Sequence, residues 1–251
     1  MKTIRNLALL AMVSVYHMSQ AFAQDELLNH VKFSSQAMSA LYMQGLSEGN
    51  DKYLRDFNRF RNQSYLYLKT YYRNGGEDAE KLLQQWRSFN GKLKLEYSKE
   101  FGWEIDDKVR FEFRRYLSDV YHLVAKNIGS YNSFEQQMLL STVQVEAVAA
   151  RFFDVSSSFL GTYHLQQEDI DKLNPEKISD DFKKRMDRLA VGSDDDLFKK
   201  DLLSVKYKWQ FVEDSLVGYS QNRAYFLVYA TKKVIAKTLG RQPSQISSSQ
   251  M

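Results

Sequence analysis

The chain contains no cysteine. That excludes disulfides, thiol nucleophiles, thiolate-bound zinc, iron–sulfur clusters and covalently attached c-type haem. Proline is almost missing: only Pro175 and Pro243 occur, both in stretches that read as loops. The glycines number eleven and fall mainly at apparent helix ends. No segment sustains an apolar period of two, so strands find no support and the composition points to an all-α chain. Beyond the N-terminal segment, no apolar run approaches the roughly 20 residues that cross a bilayer. No Gly-x-Ser-x-Gly elbow and no glycine-rich phosphate loop occur. The four histidines never sit three or four residues apart, and no Glu-x-x-His exists, so the di-iron bundle pattern is missing. The formal charge of +4 falls to near +2 without Lys2 and Arg5, which gives no electrostatic reason to expect nucleic acid as a partner.

Residues 1–23 read as a cleaved signal peptide. Lys2 and Arg5 supply the positive start, Leu7 to Tyr16 a short apolar run, and Ala21-Phe22-Ala23 an A-x-A cleavage site. The mature chain is expected to begin at Gln24 and to reside in the bacterial periplasm or beyond. The roughly 228 residues that remain suffice for a core, because a chain of that size buries roughly 70–75% of its surface on folding.

Heptad-like spacing places helices over 26–46, 51–73, 77–101, 106–127, 133–160, 179–190, 197–219 and 222–239. Ser133 with Gln136 forms a capping box, Asp106 is a candidate N-cap, and Ser193-Asp194-Asp195-Asp196 caps the helix that follows. The helix over 65–72 is apolar or aromatic round most of its circumference, which marks it as central or as carrying a face for a partner. Residues 242–251 are polar and read as a disordered tail.

The clearest seam is Phe198, Leu202, Val205, Trp209, Val212, Leu216 and Tyr219, at alternating spacings of four and three. Shifted back 123 positions, its central residues fall on Ala79, Leu82, Trp86, Phe89 and Leu93. A tryptophan centres both, which suggests an internal duplication. The expected fold is therefore an antiparallel bundle of about eight helices in one all-helical domain, 24–241, with pseudo-repeated four-helix halves 24–129 and 130–241.

Candidate chemistry is sparse. Glu146 and Asp154 flank the inner side of helix 133–160 and are the nearest pair for a carboxylate hydrolase, although solvent-edge positions beside the core explain them far better. His122 with Met138 or Met43 is the nearest set for a b-type haem carrier. The three carboxylates before Leu197 read as dipole-complementing caps rather than a metal site, and no cofactor or metal is expected. The basic groups Lys183-Lys184-Arg185 with Arg188, and Lys232-Lys233 with Lys237, read as solvated outer faces; binding an anionic surface is the alternative. Aromatics make up 14% of the chain, with sixteen tyrosines. Tyrosine is favoured where helices meet a ligand or a protein. Tyr67, Tyr71 and Tyr72, with Tyr219, Arg223 and Tyr225, form the expected binding surface if the two groups are neighbours. The sequence thus reads as a non-catalytic, exported binding or adaptor protein for an envelope protein or a small ligand.

Overall fold

The structure, a computed structural model, describes the backbone of residues 2–74, 76–100, 102–219 and 224–241, with side chains from Ala23 onward except those of 74 and 164. The side chains of 1–22, the tail 242–251 and Arg223 lie outside the described residues. Among the described residues the elements run α1 (Lys2–Leu46), α2 (Asp51–Asn74), α3 (Gly76–Asn90), β1 (Glu96–Ser98), β2 (Gly102–Glu104), α4 (Asp107–Lys126), α5 (Phe134–Ser156), α6 (Gln167–Lys172), α7 (Pro175–Val191), α8 (Asp196–Gly218) and α9 (Tyr225–Leu239). The protein is an all-α helical bundle, as its periodicity requires. None of the helices described is long and apolar enough to cross a membrane.

The bundle is built round α5. Every residue from Leu140 to Val155 is buried, so over that stretch the helix has no solvent face. The capping box fixes its start: Ser133 Oγ accepts from Gln136 N at 3.1 Å and the Gln136 side chain accepts from Ser133 N. α1 packs along α2 and α5, α9 lies on α5 and α8, and α7 fills the gap between α5 and α8. The buried apolar residues of all these helices form a single cluster.

The two tryptophan seams are both buried, from Ala79 to Leu93 and from Phe198 to Leu216. Their settings differ. Trp86 lies against His30, Phe113 and Tyr116, whereas Trp209 lies against Phe182 and donates from Nε1 to Ser179 Oγ at 2.9 Å. α3 stops at Asn90 while α8 continues to Gly218.

Several expected boundaries move. The helix over 77–101 ends at Asn90, and the chain turns into a two-stranded hairpin pairing Tyr97 with Trp103. Its cause is local: Gly91 ends the helix, Leu93 and Leu95 then alternate inward with Lys94 outward, and Gly102 takes a φ of 76° that closes the turn. Trp103 of the hairpin covers Gly49, whose φ is 85°; a Cβ there would lie 2.4 Å from the indole. The helix over 133–160 ends at Ser156, which leaves Phe159 beyond it and 87% exposed. Pro175 is no loop residue but the first residue of α7, behind the N-cap Asn174, where its missing N–H costs nothing. The aromatic end of α2 is peripheral: Leu66 is 62% exposed, and of the described side chains of that helix only Tyr53, Phe57, Ser64 and Leu68 are buried.

A helix enclosed on all sides carries its polar residues into the interior, where each needs a partner. Asp154 is held by Arg114, through Nε at 2.5 Å and Nη2 at 3.2 Å, and by Arg110 at 3.5 Å. Arg151 donates from Nη2 to Ser118 Oγ at 2.8 Å. The imidazole of His30 sits between the Ser64 carbonyl at Nδ1, 2.9 Å, and the Tyr116 hydroxyl at Nε2, 2.6 Å. Burial holds its pKa down to about 4.

Candidate ligand-binding pocket

α1, α2, α5 and α9 enclose a cleft of about 410 Å³ beside the first half of α5. That volume lies in the range of small-molecule sites. Its walls are Phe33 from α1, Phe60 from α2, Phe134, Met138 and Leu139 from α5, and Ala236 from α9. Phe33 is locked in place by stacking between Phe60, at 6.3 Å, and Tyr67, at 5.4 Å and 9°. The apolar wall therefore has a rigid aromatic backing.

One buried ion pair stands at the cleft. Glu146 is fully buried; its Oε2 meets Lys232 Nζ at 2.5 Å and its Oε1 accepts from Gln36 Nε2 at 2.9 Å. Lys232 also lies 4.9 Å from the Tyr229 ring. This corrects the sequence reading of both residues. Lys232 is not on a solvated face and Glu146 is not at the solvent edge, because α5 and α9 meet along that line.

The remaining charge is mostly positive. Lys32, Lys233, Lys237 and Arg241 line the cleft against one further carboxylate, Glu135. Lys32 is half-buried, and no carboxylate comes within ion-pair distance of it among the described residues. It donates to Asn29 Oδ1 at 2.7 Å and lies 4.4 Å from the Phe33 ring. Burial pushes its ammonium down to about 8, with Glu146 opposing. Lys233 reaches Asp56 only at 3.7 Å and Arg241 reaches Asp201 only at 3.6 Å. Such a cleft can take an apolar body and face a negative group with several cations. The side chains lining it include no histidine or serine. The one hydroxyl besides Tyr229, that of Thr142, donates to the Met138 carbonyl at 3.1 Å.

The expected tyrosine surface is dispersed. Tyr67 backs the cleft through Phe33. Tyr71 is half-buried and shares its electrostatic surroundings with Tyr131 and Asp78, while Tyr72 is 44% exposed. Tyr219 is the left-handed C-cap of α8, with φ 47°, and its hydroxyl lies near Arg151 and Asp154 at the far end of α5 from Tyr131. Tyr225 packs on Phe226 at 4.9 Å. The two groups are thus not neighbours, and they form no common groove. Glu146 and Asp154 do not share a cleft either: two turns apart on α5, each is fully buried in its own ion pair. His122 is half-buried on α4 near Asp119 and Lys172, Met43 is wholly buried, and Met138 is part of the cleft wall. Among the described residues no group of three or more His, Asp or Glu side chains is placed to hold a metal ion.

The outer faces of α8 and α9 are a second notable surface. Leu203, Tyr207, Phe211 and Val234 line a shallow groove between them; Tyr207 and Phe211 are 67% and 66% exposed. Lys200 and Lys208 border it.

No protein-family model matches the chain, and neither does any curated protein or any solved structure. Any functional reading therefore rests on the site itself. Sequence reasoning passed over the cleft because its walls come from helices as far apart in the chain as α1, α5 and α9. The one available signal was Phe33, Lys32 and Gln36 on a helix whose inward seam was already complete without them.

Proposed function

We propose that the protein is an exported, non-catalytic binding protein. Its ligand is an anionic amphiphile, an apolar chain or ring system ending in a carboxylate or similar acid, held in the α1–α2–α5–α9 cleft. The observation that carries this reading is Lys32: a half-buried ammonium with no carboxylate within ion-pair distance among the described residues, set against an aromatic wall. An unpaired charge in such surroundings costs free energy that a bound anion would return. Lys233 and Lys237 at the rim complement the same sign.

Export rests on the signal-like segment. Cleavage after Ala23 leaves a start that the fold already holds, since Gln24 Nε2 donates to Ser130 Oγ at 2.8 Å and Asp25 Oδ1 accepts from Gln136 at 2.9 Å. The intact mass of the protein from its host's envelope should correspond to a chain beginning at Gln24.

Calorimetric titration tests the ligand class. Dodecanoate should bind, and dodecyltrimethylammonium should not. Lys237→Glu, at an exposed position, should weaken dodecanoate; Ala236→Phe should block it by filling the cleft. Equal affinity for both amphiphiles, or dodecanoate binding unchanged in both variants, overturns the proposal.

The α8–α9 groove favours a second reading, as an adaptor for a protein helix. Its apolar lining between Lys200 and Lys208 complements an amphipathic helix with acidic flanks. Phe211→Asp, at an exposed site, should abolish capture of such a partner while leaving dodecanoate binding intact.

A further inference from the structure

A second cavity, of about 780 Å³, lies on the opposite side of the start of α5, between the α4–α5 connection and α7. Its character differs from that of the first: it is lined by Tyr131 and by Asp181, Lys184, Arg185, Asp187 and Arg188 of α7. The residue that stands out is Arg185. The sequence places it on a solvated face with Lys184 and Arg188, but only 3% of it is exposed, because α7 presses that side against α5. Its single hydrogen bond is a neutral one, Nη1 to Gln144 Oε1 at 3.2 Å, and Nε has no partner. No carboxylate comes within 4 Å of its guanidinium among the described residues. Tyr131 closes one side of the cavity and is fully buried, with its hydroxyl in the surroundings of Tyr71 and Asp25 rather than of Arg185.

A buried guanidinium is ordinarily matched by a carboxylate or by several carbonyls. Here Asp187 is engaged by Lys206 at 2.7 Å, and Asp181 stays outside ion-pair distance. Lys184 and Arg188 are exposed and form no ion pair among the described residues. Three cations therefore converge on one cavity against one free carboxylate. Burial and the nearby Arg188 lower the Arg185 pKa to about 10, which leaves it charged at neutral pH.

We infer that this cavity is a binding site for a phosphate or phosphomonoester group, with Arg185 as its floor and Lys184 and Arg188 as its mouth. Guanidinium N–H groups suit the oxygens of a tetrahedral dianion, and the two exposed cations suit its charge. The site is independent of the amphiphile cleft and does not rest on that reading.

The test is calorimetric titration of the mature protein with inorganic phosphate, ionic strength held constant with sodium chloride, and sedimentation with vesicles containing phosphatidic acid. Lys184→Ala with Arg188→Ala, both at exposed positions, should weaken binding about tenfold or more, since each removes a charge-assisted contact. Arg185→Gln should abolish it. Should Arg185→Gln fail to fold, the double variant still decides. Binding of free phosphate identifies a soluble ligand; binding of the vesicles alone identifies a lipid head group; either supports the site when the double variant loses it. No binding in either arm, or equal binding by the double variant, overturns it.

Discussion

Acidification should weaken the fold through His30. The neutral imidazole uses its full bonding capacity: Nδ1–H donates to the Ser64 carbonyl and Nε2 accepts from the Tyr116 hydroxyl, in a site closed off by Trp86. Charging it places an ion in a fully buried site, and burial lowers its folded pKa to about 4 from 6.5. A group depressed on folding contributes stability that is present above its unfolded pKa and lost as pH falls through the folded one. The window is therefore pH 6.5 to 4. At about 1.4 kcal/mol per pH unit the loss reaches about 3 kcal/mol by pH 4. For a chain of this size each kcal/mol moves the melting midpoint by about 2–4 °C, so His30 alone should cost about 6–12 °C. Thermal unfolding followed by circular dichroism at pH 7, 5.5 and 4 measures it, with His30→Gln as reference. That variant should start less stable at pH 7 but lose about 3 kcal/mol less on going to pH 4. Contributions from His122 and the carboxylates are common to both proteins and cancel. A variant that loses as much stability as the parent over this window would refute the reasoning.

Further perturbations follow from the same geometry. Lys232→Met strands the buried Glu146 and should cost about 3–5 kcal/mol in urea unfolding, most of which Lys232→Met with Glu146→Gln should recover. Gly49→Ala meets both a positive φ and the Trp103 indole, and should cost about 1–3 kcal/mol; adding Trp103→Leu should return only the steric share. A bound anion raises the pKa of Lys32 from about 8, so dodecanoate affinity should be level below pH 8 and fall above it, with proton uptake visible by calorimetry in buffers of different ionisation heat. Lys32→Met should bind more weakly, lose that pH dependence, and melt a few degrees higher, because it removes a desolvated charge.

The sequence made the helices legible because their caps and seams are local. The Ser133–Gln136 box, Asp106 over Val109 and Asp195 before Leu197 all act within four residues. Both tryptophan seams were readable for the same reason. What periodicity could not give is which helix is central. The Phe198–Leu216 seam is cleaner than anything in α5, yet α5 is the enclosed helix, because alanine and valine fill its remaining faces. From that one difference the site errors follow. Glu146 and Asp154 look like edge residues, and Lys232 and Arg185 like outer-face residues, on two-faced helices, and all four become buried when a neighbour covers the second face. The hairpin was hidden because three-residue strands offer too few positions to show a period of two. The tyrosine clusters were visible as composition, but whether two clusters meet depends on helix order round the core, which no local pattern encodes.

The central claim is that the α1–α2–α5–α9 cleft holds an anionic amphiphile. Native mass spectrometry of the protein drawn from its own host tests it most directly, with added dodecanoate as the control for retention. The account predicts a discrete extra mass of an acidic apolar molecule, displaced by dodecanoate and missing from Ala236→Phe. A bare chain under conditions that retain added dodecanoate, or an adduct that persists unchanged in Ala236→Phe, would contradict it.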